Sequence, residues 1–272
     1  MLNNKVVGII GFGHLGHSLA AGLVGNGFQK ERLIISHRGN KNTAKKARNA
    51  GFANCLASNT ALARQADIVL MAARPQNVLE LADAPFKSDA MIISFMAGLP
   101  LDLLQAIFGK NTRRAMCSGP ETILEGSGIA TLCPEDERVA GVLESTGMKI
   151  CRTSCERELD SFTAGICLPA ILLNIHVSRE EIMDAMEKMR ASYPVYGVLQ
   201  DWIKQVSPGA ETGEKREYLA NVSTKGGISE AITTGLRSGS SLIDAIRRGL
   251  ARGDEITGEI KKEILESMKL AG

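Results

Sequence analysis

The chain has 272 residues and a formal net charge of +2, from 32 lysines and arginines against 30 aspartates and glutamates. Its hydrophobic fraction of 44% and its charged fraction of 23% are ordinary for a globular protein. These values exclude a disordered, collagen-like or coiled-coil chain. They also show no basic excess of the kind that nucleic-acid-binding proteins carry. At about 150 residues per domain, the length allows one or two domains.

The cysteines predict neither a disulfide framework nor a metal site. The chain has 6 of them, and none forms the C-x-x-C pair that is typical of zinc sites. Reduced thiols in a cytoplasmic protein are the simplest interpretation. The sequence shows no signal peptide and no uncharged run of about 20 apolar residues, so we expect no membrane span.

The first half alternates short apolar runs with amphipathic stretches. Strands are predicted at 5–10, 33–36, 68–73 and 91–95, with weaker candidates at 114–116, 129–132 and 148–150. A helix with an apolar face follows the first strand, and a basic helix is predicted at 42–50. Continuous apolar strands that alternate with helices predict an α/β fold, with a doubly wound parallel sheet of the Rossmann type covered on both faces.

The second half shows no convincing strand. Helices are predicted over 159–205, 212–222 and 227–270, with interruptions at Pro169, Pro194, Pro208 and Gly226-Gly227. We therefore expect a doubly wound domain over 1–153, followed by an all-helical domain over 154–272.

A glycine-rich loop follows the first predicted strand. Residues 11–16 match G-x-G-x-x-G between a strand and a helix, which is the context that a dinucleotide-binding loop requires. Gly11 is expected to permit a tight turn, Gly13 to let the backbone approach a pyrophosphate, and Gly16 to allow close packing of helix and strand. The alternative is a glycine-rich turn without a ligand.

The end of the second strand bears on the choice of cofactor. NAD-binding sites usually place a carboxylate there for the ribose 2′-hydroxyl. This chain instead has Ser36, His37 and Arg38, followed by Lys41. A guanidinium can bind a 2′-phosphate through two hydrogen bonds, so the sequence favours NADPH. The alternative is that Arg38 and Lys41 belong to a solvated loop.

Several segments match motifs of one enzyme family in the same order along nearly the whole chain. They are the glycine loop, 72–76 (Ala-Ala-Arg-Pro-Gln), 96–98 (Met-Ala-Gly), 114–120 (Arg-Ala-Met-Cys-Ser-Gly-Pro), 160–170 and 222–229 (Val-Ser-Thr-Lys-Gly-Gly-Ile-Ser). Together they resemble the pyrroline-5-carboxylate reductase family. The resemblance implies an NADP-binding Rossmann domain, a helical domain that holds substrate and pairs two copies, and NADPH-dependent reduction of a small cyclic imine. Pyrroline-5-carboxylate, which gives proline, is the substrate most directly implied.

The resemblance also implies roles for individual residues. Backbone groups of Ser223, Thr224, Gly226 and Gly227 are expected to hold the substrate carboxylate. Ser229 and Lys225 are the candidate catalytic residues, although a helix N-cap for Ser229 and a solvated surface position for Lys225 are alternatives. We expect a homodimer or a higher homo-oligomer, a small imino-acid substrate, no nucleic acid and no membrane. The expected cofactor-binding residues are Gly11, Phe12, Gly13, His14, Leu15, Gly16, Ser36, His37, Arg38, Asn59, Ala72, Arg74, Pro75, Ala97 and Gly98.

The departures from the family pattern fall in the substrate motifs. The segment at 165–169 is one residue shorter than its counterpart. Ile228 stands where the family has a threonine that interacts with the substrate nitrogen, and Lys225 stands where it has a proline. Isoleucine can neither donate nor accept a hydrogen bond.

Two other functions stay open. A cofactor-binding regulatory relative without catalytic activity is supported by Ile228 and the shortened segment. A 3-hydroxyacid-type dehydrogenase is disfavoured, because that class places a lysine after a glycine-rich turn and residues 165–174 contain none.

Overall fold

The structure is a computed structural model, and it describes residues 2, 4–37, 39–206 and 226–271, with side chains as far as Ser267. The helix predicted at 212–222 and its flanking Pro208 lie outside the described residues.

An eight-stranded sheet forms the first half, in the order β3-β2-β1-β4-β5-β6-β7-β8. The Rossmann-type doubly wound fold predicted from the sequence is confirmed. The strands are β1 (Val7–Ile10), β2 (Leu33–Ser36), β3 (Leu56–Ala57), β4 (Ile68–Met71), β5 (Met91–Ser94), β6 (Thr112–Cys117), β7 (Ile129–Cys133) and β8 (Lys149–Ile150).

One pairing differs from the predicted parallel sheet. Strands β6 and β7 run antiparallel, with Ala115 opposite Leu132. The connection at 118–128 is shorter than the dozen or so residues that a parallel crossover needs. Strand β3 was not predicted, because a two-residue strand leaves no apolar run in the sequence.

The sheet is buried on both faces because its strands are apolar on both faces. Ile9 and Ile93 pack with Leu19 of the first helix on one face. Ile10 and Ile92 belong to a separate apolar cluster on the other face. Successive side chains along a strand point to opposite faces, so continuous apolar runs require helices on both sides.

Helices cover the sheet and form the second half. They are α1 (His14–Gly25), α2 (Lys41–Asn49), α3 (Asn59–Gln65), α4 (Leu101–Phe108), α5 (Pro120–Leu124), α6 (Glu137–Glu144), α7 (Glu156–Gly165), α8 (Leu168–Asn174), α9 (Arg179–Ser192), α10 (Tyr196–Val206), α11 (Ile228–Arg237) and α12 (Leu242–Ala271), and short 3₁₀ turns lie at Lys30–Arg32, Ala53–Cys55, Pro75–Asn77 and Leu79–Leu81. None of the helices in these described ranges is long and apolar enough to cross a membrane.

The helical half has its own apolar core and also packs on the sheet. Phe162, Tyr196 and Trp202 are buried together, and Met116 of β6 joins the same cluster. The Trp202 Nε1–H donates to the Ser127 carbonyl at 2.8 Å, which ties α10 to the sheet. The two halves therefore meet along the β6–β7 end of the sheet.

Asp136 ties the start of α6 to strand β6. Its carboxylate accepts from the Arg138 backbone N–H at 3.0 Å and pairs with the Arg138 and Arg113 guanidinium groups at 2.7 and 3.1 Å. Hydrogen bonds from Arg138, with the positive charge of Arg113 adding to them, lower the pKa of Asp136 to about 2.

This lowered pKa predicts how stability depends on pH. Because the pKa is lower in the folded chain than in the unfolded chain, the stabilisation is present above about pH 4 and lost as the pH falls through about 2. Asp136→Asn keeps a capping oxygen without the charge, so its free energy of unfolding should change less between about pH 5 and about pH 3. Urea unfolding at both pH values measures this. Asp184→Asn, in the exposed pair with Lys188, is the control, and an Asp136→Asn profile identical to the wild type would contradict the prediction.

Candidate functional site

A crevice lies where the strand order reverses, between β1 and β4. Gly11, directly after β1, has φ +93°, and a Cβ there would stand 2.9 Å from the Ala72 carbonyl oxygen in the loop after β4. The two loops are thus in contact at the carboxyl edge of the sheet. Doubly wound sheets bind their ligands at this switch point.

The glycine loop has the geometry of a phosphate cradle. A Cβ at Gly16 would stand 1.9 Å from the Gly11 carbonyl oxygen, so only glycine fits there. Gly13 is exposed, with no other atom within 4 Å of where its Cβ would stand. Helix α1 begins at His14 and has no side-chain cap. Its first N–H groups can therefore face an anion directly.

Three other residues of this loop differ in what they offer a ligand. The Phe12 ring is buried and packs edge-on against Phe52, with ring centroids 5.7 Å apart. Phe12 can therefore contribute only backbone groups to the crevice. His14 is exposed and Leu15 is half-buried.

At the end of β2 two of the predicted cofactor-binding residues, Ser36 and Asn59, are in contact. Ser36 is fully buried, and its hydroxyl donates to the Asn59 side-chain oxygen at the start of α3. His37 has a buried Nδ1 without a hydrogen-bond partner among the described groups. Arg38 lies outside the described residues. The structure therefore brings Ser36 and Asn59 together, and His37 is left with an unsatisfied polar atom at this edge.

A cavity of about 700 Å³ lies between the loops after β4 and β5 and the helical half. Arg74, Pro75, Ala97 and Gly98 line its sheet side. Helix α12 closes it from above, because a Cβ at Gly98 would stand 2.8 Å from Ile260 Cδ1.

An ion pair reinforces this closure. The Lys261 Nζ of α12 pairs with Asp102 of α4 at 3.0 Å. This hydrogen bond from Lys261 lowers the pKa of Asp102.

A buried arginine forms one wall of the cavity. Arg114 of β6 donates from Nη1 to Glu156 at 2.8 Å and from Nη2 to Asp160 at 2.7 Å, and both acceptors belong to α7. Its Nε is buried without a partner among the described groups. Glu156 also accepts from the Leu101 backbone N–H at 2.8 Å. Arg114 therefore clamps α7 onto the sheet at the cavity.

Asp160 has an altered acidity. Burial raises the pKa of its carboxyl group, and the nearby negative charges of Glu156 and Asp254 raise it further, while Arg114 acts in the opposite direction. Cys167, which directly precedes α8, also lines the cavity, and burial raises the pKa of its thiol to about 12. A raised pKa disfavours the thiolate, which is the nucleophilic form of cysteine.

In the turn that leads into α11, the backbone groups of Gly226 are hydrogen-bonded to side chains of the protein. The Gly226 N–H donates to Glu230 Oε2 at 2.6 Å, and the Gly226 carbonyl accepts from Arg252 Nε at 2.8 Å. Gly227 is the N-cap of α11 and lines the cavity. Ser223, Thr224 and Lys225 lie outside the described residues.

Ser229 lies inside α11, one residue after its start. It is buried and lines the cavity. The alternative interpretation of Ser229 as a helix N-cap is wrong, because Gly227 holds that position. A catalytic role for Ser229, which stays a prediction, requires that its side chain lies at the cavity.

Ile228 has a packing role. A Cβ at Gly249 would stand 3.3 Å from Ile228 Cγ2, and a Cβ at Gly253 would stand 3.2 Å from Ile228 Cδ1. The two glycines of α12 therefore leave a groove that the side chains of Ile228 and Ile232 fill together. Helices α11 and α12 pack closely here because both sides match in shape.

Sequence reasoning gave no role to several charged residues that line the cavity. Arg114 and Asp160 belong to segments that resemble family motifs, and this resemblance could have pointed to a role for them. Arg157 and Asp254 carried none, because an isolated charge on a helix predicts only a solvated face. The structure places all four at the cavity.

Comparisons with known proteins agree with this geometry. A family model described as "NADP oxidoreductase coenzyme F420-dependent" matches residues 6–98. A pyrroline-5-carboxylate reductase of Aquifex aeolicus is 27% identical over 252 residues, which cover 83% of this chain and 93% of that protein. The chain is similar in sequence to pyrroline-5-carboxylate reductases.

Two further comparisons bear on this relationship. The pyrroline-5-carboxylate reductase of Haemophilus influenzae is 28% identical over 134 residues, and the match covers 46% of this chain and 47% of that protein. The chain thus aligns with about half the length of this relative. The pyrroline carboxylate reductase of Plasmodium falciparum, solved with NADP bound, has the same fold, with a TM-score of 0.58 and 21% identity over 94% of this chain and 99% of that one.

The middle and the last glycine of the pattern are predicted to differ in how much an alanine there lowers stability. Gly16→Ala forces a Cβ against a backbone oxygen and should lower the free energy of unfolding by about 1–3 kcal/mol or more. Gly13→Ala has room and should change it by less than about 1 kcal/mol. Urea unfolding of both variants measures the difference. Equal stabilities would contradict the close approach seen at Gly16.

Ile228→Thr tests whether residue 228 packs or binds substrate. Threonine would leave a void beside Gly253 and bury a hydroxyl, so we expect a loss of about 1–2 kcal/mol in the free energy of unfolding. Ile228→Val, which keeps the residue apolar, should lose less. A threonine variant as stable as the wild type and more active on pyrroline-5-carboxylate would instead place this side chain on the substrate.

Proposed function

We propose that the protein is an NADPH-dependent reductase of a small cyclic imino acid, pyrroline-5-carboxylate or a close relative, and that it gives proline or its analogue. The observation that carries the proposal is that one loop, after β4, borders both places: Ala72 contacts the glycine loop, and Arg74 and Pro75 line the charged cavity. The same cavity is lined by the loops after β4 and β5 and by Gly227 and Ser229 of the helical half. A reduction needs this adjacency of a dinucleotide cradle and a substrate chamber.

The residues present fit a dinucleotide. Gly13 leaves open space beside an uncapped helix N-terminus, as a pyrophosphate requires. The unsatisfied Nδ1 of His37 lies at the end of β2, where the adenosine ribose binds in this fold. In support, a related structure from Plasmodium falciparum holds NADP.

The preference for NADPH rests on charge at the end of β2. Ser36, His37 and Arg38 bring no carboxylate, and Lys41, Lys45 and Lys46 follow on α2. A 2′-phosphate gains from this positive surface, whereas the 2′-hydroxyl of NADH gains little.

The protein's own residues have limited chemical tasks. When bound, a nicotinamide supplies a hydride to the C=N carbon. The apolar wall of Met116, Ile228 and Ile256 keeps water away from that carbon. Ser229 donates a hydrogen bond toward the substrate from α11, and Gly227 contributes a backbone group.

Assembly through the helical half belongs to the same proposal. Among the described residues, Met183 of α9, Val198 of α10 and Leu265 of α12 are large apolar side chains with exposed fractions of 44%, 50% and 42%. A homodimer through these helices would cover them. The free state of all six cysteines supports a cytoplasmic location.

A direct assay tests the proposal. NADPH oxidation is measured with pyrroline-5-carboxylate, with its six-membered homologue and with pyrroline that lacks a carboxylate. We expect turnover of the two carboxylated imines. A protein that binds NADPH but oxidises it with none of them is the regulatory relative.

Cofactor selectivity gives a separate prediction. NADPH should bind at least several-fold more tightly than NADH. Arg38→Ala should narrow that difference by about 1–3 kcal/mol, the value of a hydrogen bond to a charged group. Arg64→Ala, an exposed arginine in the last turn of α3, is the control. Equal wild-type affinities for the two cofactors, measured by titration, would refute the preference.

A further inference from the structure

The turn at 226–230 has few polar groups left for a substrate nitrogen. The Gly226 N–H and carbonyl are bound by Glu230 and Arg252, and the Ile228 side chain packs into the groove of α12. A reductase of imines still needs a group that faces the nitrogen, because the nitrogen gains an electron pair as hydride reaches the carbon. Beside Ser229, the polar groups that can face the nitrogen lie on the other walls of the cavity.

The wall formed by α7 and α12 carries two carboxylates. Asp160 of α7 and Asp254 of α12 both line the cavity. They are close enough for the charge of Asp254 to raise the pKa of Asp160. The Oδ1 atom of Asp160 accepts a hydrogen bond from Arg114. Asp254 makes no ion pair or hydrogen bond within the described part of the chain.

Arg114 provides an independent sign that this wall is built for a ligand. Its side chain is only 3% exposed, it lines the cavity, and its Nε has no partner among the described groups. A buried N–H without an acceptor costs free energy unless a bound molecule or water satisfies it. The two ion pairs of Arg114 also hold Asp160 in place, so its free oxygen has a fixed position.

We propose that Asp160 and Asp254 bind the protonated nitrogen of the substrate, and that Arg157 at the cavity mouth faces its carboxylate. This deepens the proposed function and rests on it: the substrate class becomes a cyclic iminium that carries a carboxylate. Ile228 is then compatible with catalysis, because nitrogen recognition lies on α7 and α12.

The chemical step balances with these groups. The imine takes a proton from solvent and becomes a C=NH⁺ cation held by the two carboxylates. Hydride from the reduced nicotinamide adds to the carbon, and the C=N π pair moves to the nitrogen, which becomes a neutral amine. The carboxylates stabilise the cation before the step and exchange no electrons.

Titratable groups face Asp160 from each element packed against this wall. They are Arg114 on β6, Cys133 on β7, Glu156 and Arg157 on α7, and Asp254 on α12.

Ligand binding gives the first test. The full-length protein with NADP is titrated with L-proline, whose ring nitrogen is cationic, and with cyclopentanecarboxylate, which has the same ring size and no nitrogen. We expect the wild type to bind proline at least about tenfold more tightly, as a hydrogen bond between charged groups implies. Asp254→Asn and Asp160→Asn should each remove most of that preference. Glu263→Gln, an exposed carboxylate on α12, is the control and should keep it.

Kinetics give the second test. In both aspartate variants kcat/KM for the cyclic imine should fall about tenfold or more, and most at pH values above the pKa of the free imine, because there the protein must hold the proton on the nitrogen. Asp254→Asn breaks no contact within the described residues, so it decides the test if Asp160→Asn does not fold.

The outcomes separate the two proposals. Suppose that the wild type reduces imines, and that both aspartate variants keep its preference for proline and its pH profile. That result would overturn this inference alone. A wild type that prefers proline through Asp160 and Asp254 but oxidises no NADPH would overturn the proposed reductase function and leave the nitrogen site standing.

Discussion

One buried guanidinium joins the sheet to the helical half. Arg114 belongs to β6, yet both of its charged partners, Glu156 and Asp160, belong to α7. A buried arginine loses its hydration, and only well-placed carboxylates compensate for this. The position of α7 is therefore fixed relative to the sheet edge. The shape of the cavity, its acidic wall and the placement of Asp160 all depend on these two ion pairs of Arg114.

Helix α12 supplies the second half of the enclosure by a different kind of interaction. Near its start, Gly249 and Gly253 let α11 approach until Ile228 packs into the groove between them. Further along, Ile256 and Ile260 contact Gly98 after β5. One helix thus touches both the turn at 226–229 and the edge of the dinucleotide crevice. Shape matching of glycine against isoleucine, and not hydrogen bonding, sets the geometry of this side.

The glycine loop and the turn at 226–229 are held by different kinds of constraint. The glycine loop is held by backbone sterics, since a Cβ at Gly16 would overlap the Gly11 carbonyl. The described turn at 226–229 is held mainly by contacts of side chains. There Ile228 gains packing against α12, and Glu230 satisfies a backbone N–H. On the wall of α7 and α12, by contrast, carboxylates and arginines line the cavity together.

The sequence alone determined the fold class and the place of the glycine loop directly after the first strand. Continuous apolar strands can be buried only in a sheet covered on both faces, and the spacing of Gly11, Gly13 and Gly16 is a local backbone requirement. Such short-range features are readable because the chain carries them within a few residues. The reversed direction of β7 was not foreseen, since it depends on the length of one connection.

Only the tertiary structure decided which side chains surround the cavity. Arg114 and Asp160 are far apart in sequence, and Asp254 lies further still, so their proximity has no local signature. The side chain of Ile228 likewise packs against two glycines on another helix. In the sequence, Ile228 only shows that the hydrogen-bonding threonine of the family pattern is missing, whereas the structure shows that it makes a packing contact. Periodicity and motifs report what each element does by itself. The meeting of distant charges depends on how the elements pack, and that is fixed by the whole core.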